Sequence, residues 1–152
     1  MKILIALTFV FLATCLQAGA VEIPPQVKQQ IKADAVKKWN GNYEMQAYMI
    51  NNQIEAYQQL MQWVRATNSS EVAKNIHKAA QEKWKGNYEM QMYMVNNQVS
   101  AVEELSTWIE KSMNNSTLQG IIFAAEKKWP DDYVMQVYTI KNQVKAYNQI
   151  NN

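Results

Sequence analysis

Cysteine, histidine and arginine occur once each in this chain, as Cys15, His77 and Arg65. One cysteine forms no internal disulfide, and one histidine with it builds none of the Cys/His cages that hold structural zinc. A lone arginine and a formal net charge of +2 leave no electrostatic case for nucleic acid, whose binders draw most of their affinity from clustered cations on phosphates. No glycine-rich phosphate loop is present. Long apolar runs are also missing, apart from ILIALTFVFLATCL directly after Lys2. That run is shorter than a spanning helix needs and leads to the small residues Ala18-Gly19-Ala20, so residues 1–20 are expected to be a secretory signal peptide. Cys15, after Leu12-Ala13-Thr14, loosely fits a lipoprotein box, but threonine directly before the thiol fits poorly, and cleavage after Ala20 is preferred. The remainder, residues 21–152, is long enough for one domain with a core and is expected to carry no transmembrane segment.

What the chain does have is a threefold recurrence. Trp39, Trp84 and Trp129 stand 45 residues apart and open the segments WNGNYEMQAYMINNQIEAYQQL, WKGNYEMQMYMVNNQVSAVEEL and WPDDYVMQVYTIKNQVKAYNQI. A period of this size marks one supersecondary unit used several times, each unit covering its neighbour's apolar face. Before each tryptophan, Ile31/Ile76/Ile121 and Ala35/Ala80/Ala125 repeat at helical spacing and predict a first helix. Its starts are marked by Pro24-Pro25, by Ser69-Ser70-Glu71, and by Asn115-Ser116-Thr117 with Gln119, read as a capping box from Ser116. Lys38, Lys83 and Lys128 suit the negative end of its dipole.

The chain then turns at Asn40-Gly41-Asn42, Lys85-Gly86-Asn87 and Pro130-Asp131-Asp132. Glycine supplies the left-handed stop in the first two copies, and Pro130 forbids continuation in the third. Asn42, Asn87 and Asp132 are placed to cap a second helix, which runs in the first copy from about Tyr43 to about Arg65. The expected fold is therefore all-α: three tandem αα-hairpin repeats of 45 residues, at about 23–67, 68–112 and 113–152, packed as one short helical array.

On the wheel of the second helix, Tyr43, Ala47, Ile50, Ile54, Tyr57 and Met61 form an apolar face predicted to pack on the first helix. Positions that vary among copies, such as Asn51/Asn96/Lys141 and Glu55/Ser100/Lys145, read as facing solvent. Opposite the apolar face lies a sector that does not vary: Met45/Met90/Met135, Tyr48/Tyr93/Tyr138, Asn52/Asn97/Asn142 and Ala56/Ala101/Ala146. Gln46/Gln91/Gln136 and Gln53/Gln98/Gln143 flank it. Contact between adjacent hairpins is the expectation for these residues and the tryptophans, since Ala permits close approach, Met fills gaps, and Tyr, Asn and Gln pair buried polar atoms. The functional alternative is a groove that binds a peptide, a glycan or a small ligand.

Chemistry is poorly supported. His77 stands where the other copies have Lys32 and Ile122, has no motif-linked nucleophile or carboxylate, and reads as a helix-surface residue. Glu103-Glu104 reads as a solvated face and Asp131-Asp132 as a turn with a cap. Met90, Met92 and Met94 suggest a copper(I) site by ligand softness, but helical geometry turns Met92 away from the other two. Trp63 and Trp108, also 45 residues apart, suggest membrane contact, yet the strongly basic face of an interfacial helix is absent. The resulting expectation is a non-catalytic binding or scaffold protein, without cofactor or metal, periplasmic or secreted, with another exported protein or peptide as partner. A small-ligand carrier using the repeated Tyr, Gln and Asn residues is the alternative, and an enzyme the third option.

Overall fold

The structure is a computed structural model that describes residues 21–151; the expected signal peptide and Cys15 lie outside the described residues. Six α-helices and no strand are found among the described residues: α1 (Pro25–Lys38), α2 (Tyr43–Ala66), α3 (Glu71–Lys83), α4 (Tyr88–Ser112), α5 (Ser116–Lys128) and α6 (Tyr133–Asn151). None of them is long and apolar enough to cross a membrane.

Local chemistry accounts for the boundaries. Each of α1, α3 and α5 ends at a tryptophan whose backbone N–H donates to the carbonyl of Ala35, Ala80 or Ala125. The turn that follows needs one left-handed residue, supplied by Gly41 (φ 76°), Gly86 (φ 77°) and Asp131 (φ 63°). Aspartate tolerates that region better than most side chains, which explains how the third copy dispenses with glycine. Asn42, Asn87 and Asp132 then accept from the amides of Met45, Met90 and Met135 at 3.1, 3.2 and 3.2 Å. Each cap satisfies one of the orphan donors at a helix start. At α5 the cap is Asn115, which accepts from the Leu118 amide at 3.0 Å, and not Ser116. Gln119 bonds to the Ser112 carbonyl at 2.9 Å, so the expected capping box from Ser116 is not formed.

Helices α1, α3 and α5 pack on α2, α4 and α6 respectively, and α2, α4 and α6 lie in a row in which α4 touches both others. Helix α3 also touches α2, and α5 touches α4, whereas α1, α3 and α5 do not touch one another. The apolar stripe of the first helices is buried as its spacing requires: Ala35, Ala80 and Ala125 are wholly buried, with Ile31 and Ile76 nearly so. A central cluster joins Leu60, Ile76, Ala80 and Val95 from α2, α3 and α4. Burial of a side chain such as Leu60 contributes about 1.5–3 kcal/mol. A second cluster, Leu118, Ala125 and Ile140, lies under Trp108, and a third places Val21 and Ile23 on Tyr57.

The row is staggered. Gln53, ten residues beyond the first residue of α2, accepts from the amide of Tyr88, the first residue of α4. Gln98 stands in the same relation to Tyr133 of α6. Ten residues of helix amount to about 15 Å, so each second helix starts about that far along its predecessor. Further along the same pair, Lys141 meets Glu104 at 2.7 Å, which shows that α4 and α6 run parallel.

Candidate functional site

The two glutamine series have distinct jobs. Gln46, Gln91 and Gln136 donate through Nε2 to the carbonyls of Trp39, Trp84 and Trp129, seven residues earlier, at 2.9, 2.9 and 2.8 Å. Each clips the end of one helix to the start of the next, adding a second bond to a carbonyl that already accepts from the amide of Asn42, Asn87 or Asp132 in the turn. Gln53 and Gln98 instead cross to the following helix of the row. Gln53 donates to Asn87 Oδ1 at 3.1 Å and Glu89 Oε2 at 2.8 Å, and accepts from the Tyr88 amide at 2.8 Å. Gln98 donates to Asp132 at 3.1 Å and accepts from the amides of Tyr133 and Val134. Gln143, the third of this series, is exposed.

The contact between second helices therefore follows Gln53, Ala56, Tyr57 and Leu60, with Gln98 and Ala101 in the next copy. Tyr57 meets the Tyr88 ring edge to face, 5.0 Å between centroids. This corrects two expectations. Tyr48, Tyr93 and Tyr138 are not hidden between hairpins but are 61, 62 and 61% exposed. Asn97 and Asn142 are exposed with them, Asn52 is half-buried, and Met45, Met90 and Met135 lie half-buried beneath. Tyr43 and Ala47, expected against the first helix, are exposed as well. The contact stripe runs through Gln53, five residues on and about 140° around the helix from Tyr48, so the tyrosine side of each second helix is left in solvent.

The tyrosines occupy the same place on three successive helices of the row. A shift of about 15 Å along the axis and the usual 8–10 Å between packed helices separate neighbouring tyrosines by about 17 Å. The result is a diagonal line of three phenol rings, each beside an asparagine amide and above a thioether. Trp39, Trp84 and Trp129 are half-buried and covered by Lys38, Lys83 and Lys128, whose Nζ atoms lie 5.6, 5.7 and 5.3 Å from the ring centres. The indole N–H of Trp129 also donates to Thr139 at 3.0 Å.

Elsewhere the structure offers little reactive chemistry. No group of three or more His, Cys, Asp or Glu side chains able to hold a metal occurs among the described residues. Met92 and Met94 both pack on the Leu60–Val95 cluster. His77 is half-buried, its Nε2 has no partner among the described residues, and burial pulls its pKa below the ordinary 6.5. Burial, with smaller effects from Tyr57 and Asp34, raises the Tyr88 phenol; burial, Asp131 and Glu126 raise that of Tyr133. The Lys141 bond holds the Glu104 carboxyl below its usual range, with the Trp108 N–H helping. Tyr88 lies at the α2–α4 junction, and Tyr133 and Glu104 at the α4–α6 junction.

The residues read from sequence as forming or flanking one sector thus divide three ways: helix clips, junction contacts and an outward row. The clip had a legible signal, since a glutamine follows each tryptophan at the same interval of seven. The chain matches no protein-family model, no curated protein and no solved structure.

Proposed function

We propose that this chain is an exported, non-catalytic binding module made of three αα-hairpin repeats, at about 23–67, 68–112 and 113–152, whose contact surface is the line Tyr48, Tyr93 and Tyr138. The observation that carries the reading is the near-identical exposure of these tyrosines, kept with the Met and Asn beside them while the other solvent-facing positions of the same helices vary. An exposed large aromatic that serves no junction has no packing reason to be kept three times. Tyrosine is well suited to recognition: it offers a broad apolar face and a hydroxyl while losing little conformational entropy.

The partner proposed is an extended segment of another exported protein. A chain rising about 3.3 Å per residue covers the ~17 Å step in about five residues, so about ten residues reach all three rings. The exposed asparagines Asn97 and Asn142 supply donors and acceptors for its backbone. Export rests on Lys2, the apolar run after it and Ala18-Gly19-Ala20.

The test is a panel of extended peptides of different lengths titrated against the protein and against a triple variant, Tyr48→Ser, Tyr93→Ser and Tyr138→Ser. Binding that strengthens up to about ten residues and is lost in a variant with unchanged helicity supports the proposal. Peptide binding that survives the triple substitution overturns it, as does binding of glycans in place of peptides. Mass spectrometry of secreted material tests export: a mature N-terminus at Val21 is expected, and retention of residues 1–20 refutes it.

A further inference from the structure

The junction that joins α2 to α4 is present a second time in halves, one at each end of the row. Its outgoing half is Gln53, Ala56, Tyr57 and Leu60, and α6 carries Gln143, Ala146, Tyr147 and Ile150 at the same spacing. Its receiving half is Gly86-Asn87-Tyr88-Glu89, and the start of α2 carries Gly41-Asn42-Tyr43-Glu44, identical letter for letter. The exposures show what is missing. Leu60 is 0% exposed, but Ile150 is 82% exposed; Gln143 and Ala146 are exposed where Gln53 and Ala56 are buried. At the other end Tyr43 is 80% exposed, while Tyr88 and Tyr133 are half-covered by the preceding helix.

We propose that the α6 end of one molecule docks on the α2 end of a second copy, reproducing between chains the junction that α2 and α4 make within one. The second copy is the favoured occupant because the surfaces continue an interface already built from the same residues. In that contact Gln143 Nε2 donates to the Asn42 and Glu44 side chains of the second copy, and Gln143 Oε1 accepts from the amide of its Tyr43. Tyr147 takes the place of Tyr57, edge-on to that Tyr43, and Ile150 takes the place of Leu60. Asn42 keeps its capping bond to the Met45 amide, as Asn87 keeps its bond to Met90 while receiving Gln53.

Such a contact is heterologous: the two surfaces differ, so each added molecule presents a fresh end. The operation that takes α2 to α4 includes a displacement along the helix axes, so it gives an open filament and not a closed dimer. A formal net charge of only +2 offers little long-range repulsion against this growth. The tyrosine line lies on another face and stays available along such a filament.

Sedimentation of the full chain over a series of concentrations tests the proposal, with two variants of exposed positions, Ile150→Asp at the outgoing end and Tyr43→Asp at the receiving end. The wild type is expected to pass from monomer to dimer and on to longer species as concentration rises. Each variant alone should be monomeric, with association weakened at least tenfold, and circular dichroism should show wild-type helicity. Mixed in equal amounts they should form a dimer that grows no further, because each contributes one intact end. A wild type that stays monomeric throughout overturns the proposal. So does a dimer that only one of the two variants abolishes, or a mixture that remains monomeric.

Discussion

Replacing Gln98 with alanine isolates the energy of one helix junction. Its side chain is buried and makes three bonds across to α6: one donated to Asp132 and two accepted from the amides of Tyr133 and Val134, at 3.1, 2.9 and 3.3 Å. A net neutral hydrogen bond contributes about 0.5–1.5 kcal/mol and one to a charged group about 1.5–3 kcal/mol. The 3.3 Å bond falls at the weak end, so Gln98→Ala should cost about 2.5–5 kcal/mol. The control is Gln143→Ala, the same residue in the same place of the next copy but exposed; it should stay within about 0.5 kcal/mol. Urea unfolding followed by circular dichroism, at a protein concentration low enough to keep molecules apart, measures both. The difference between the two variants carries the inference, since helix propensity and chain entropy change alike in each. Equal losses, or a cost at Gln98 below about 0.5 kcal/mol, would refute the assignment of Gln98 as the tie between α4 and α6.

Three further outcomes are expected. Tyr93→Ala should cost less than about 1 kcal/mol in the same unfolding assay, because the ring is mostly in solvent; a larger loss would return Tyr93 to the packed interior. Gly86→Ala should destabilise by about 1–2 kcal/mol through its left-handed φ alone, since no atom lies within 4 Å of an added Cβ. Gly86→Asp should cost less, as Asp131 occupies the equivalent place; equal costs would disprove that account. His77 has its pKa lowered by burial, so the unfolded chain takes up a proton before the folded one as pH falls. Its contribution is complete above the ordinary value of 6.5, declines as pH drops from there through the folded value, and levels off below it. His77→Ile, the residue that the third copy has as Ile122, should flatten stability over that interval, and an unchanged pH profile in urea titrations would contradict it.

Features governed by a few neighbouring residues were legible in the sequence. Helix content, the turns after Trp39, Trp84 and Trp129, and the caps at Asn42, Asn87 and Asp132 depend on backbone sterics and on bonds spanning three or four positions. The buried stripe of Ile31, Ile76 and the matched alanines was readable from its period. The place of Ser116 was not, because Asn115 competes for the same amides and the contest turns on one residue of register.

The stagger between second helices belongs to the tertiary structure alone. A helical wheel ranks sectors by polarity and says nothing of where one helix begins along another. Gln53 was read only as flanking the sector of Tyr48 and Asn52, yet its side of the helix is the one the next second helix covers, while the tyrosine side stays in solvent. Identical residues, Tyr43 and Tyr88 or Gln53 and Gln143, are bare at the ends of the row and covered within it, because only the inner ones have another second helix opposite them. Burial is a property of what stands opposite, and that is set by the simultaneous fit of α2, α3 and α4, which no local stretch of chain encodes by itself.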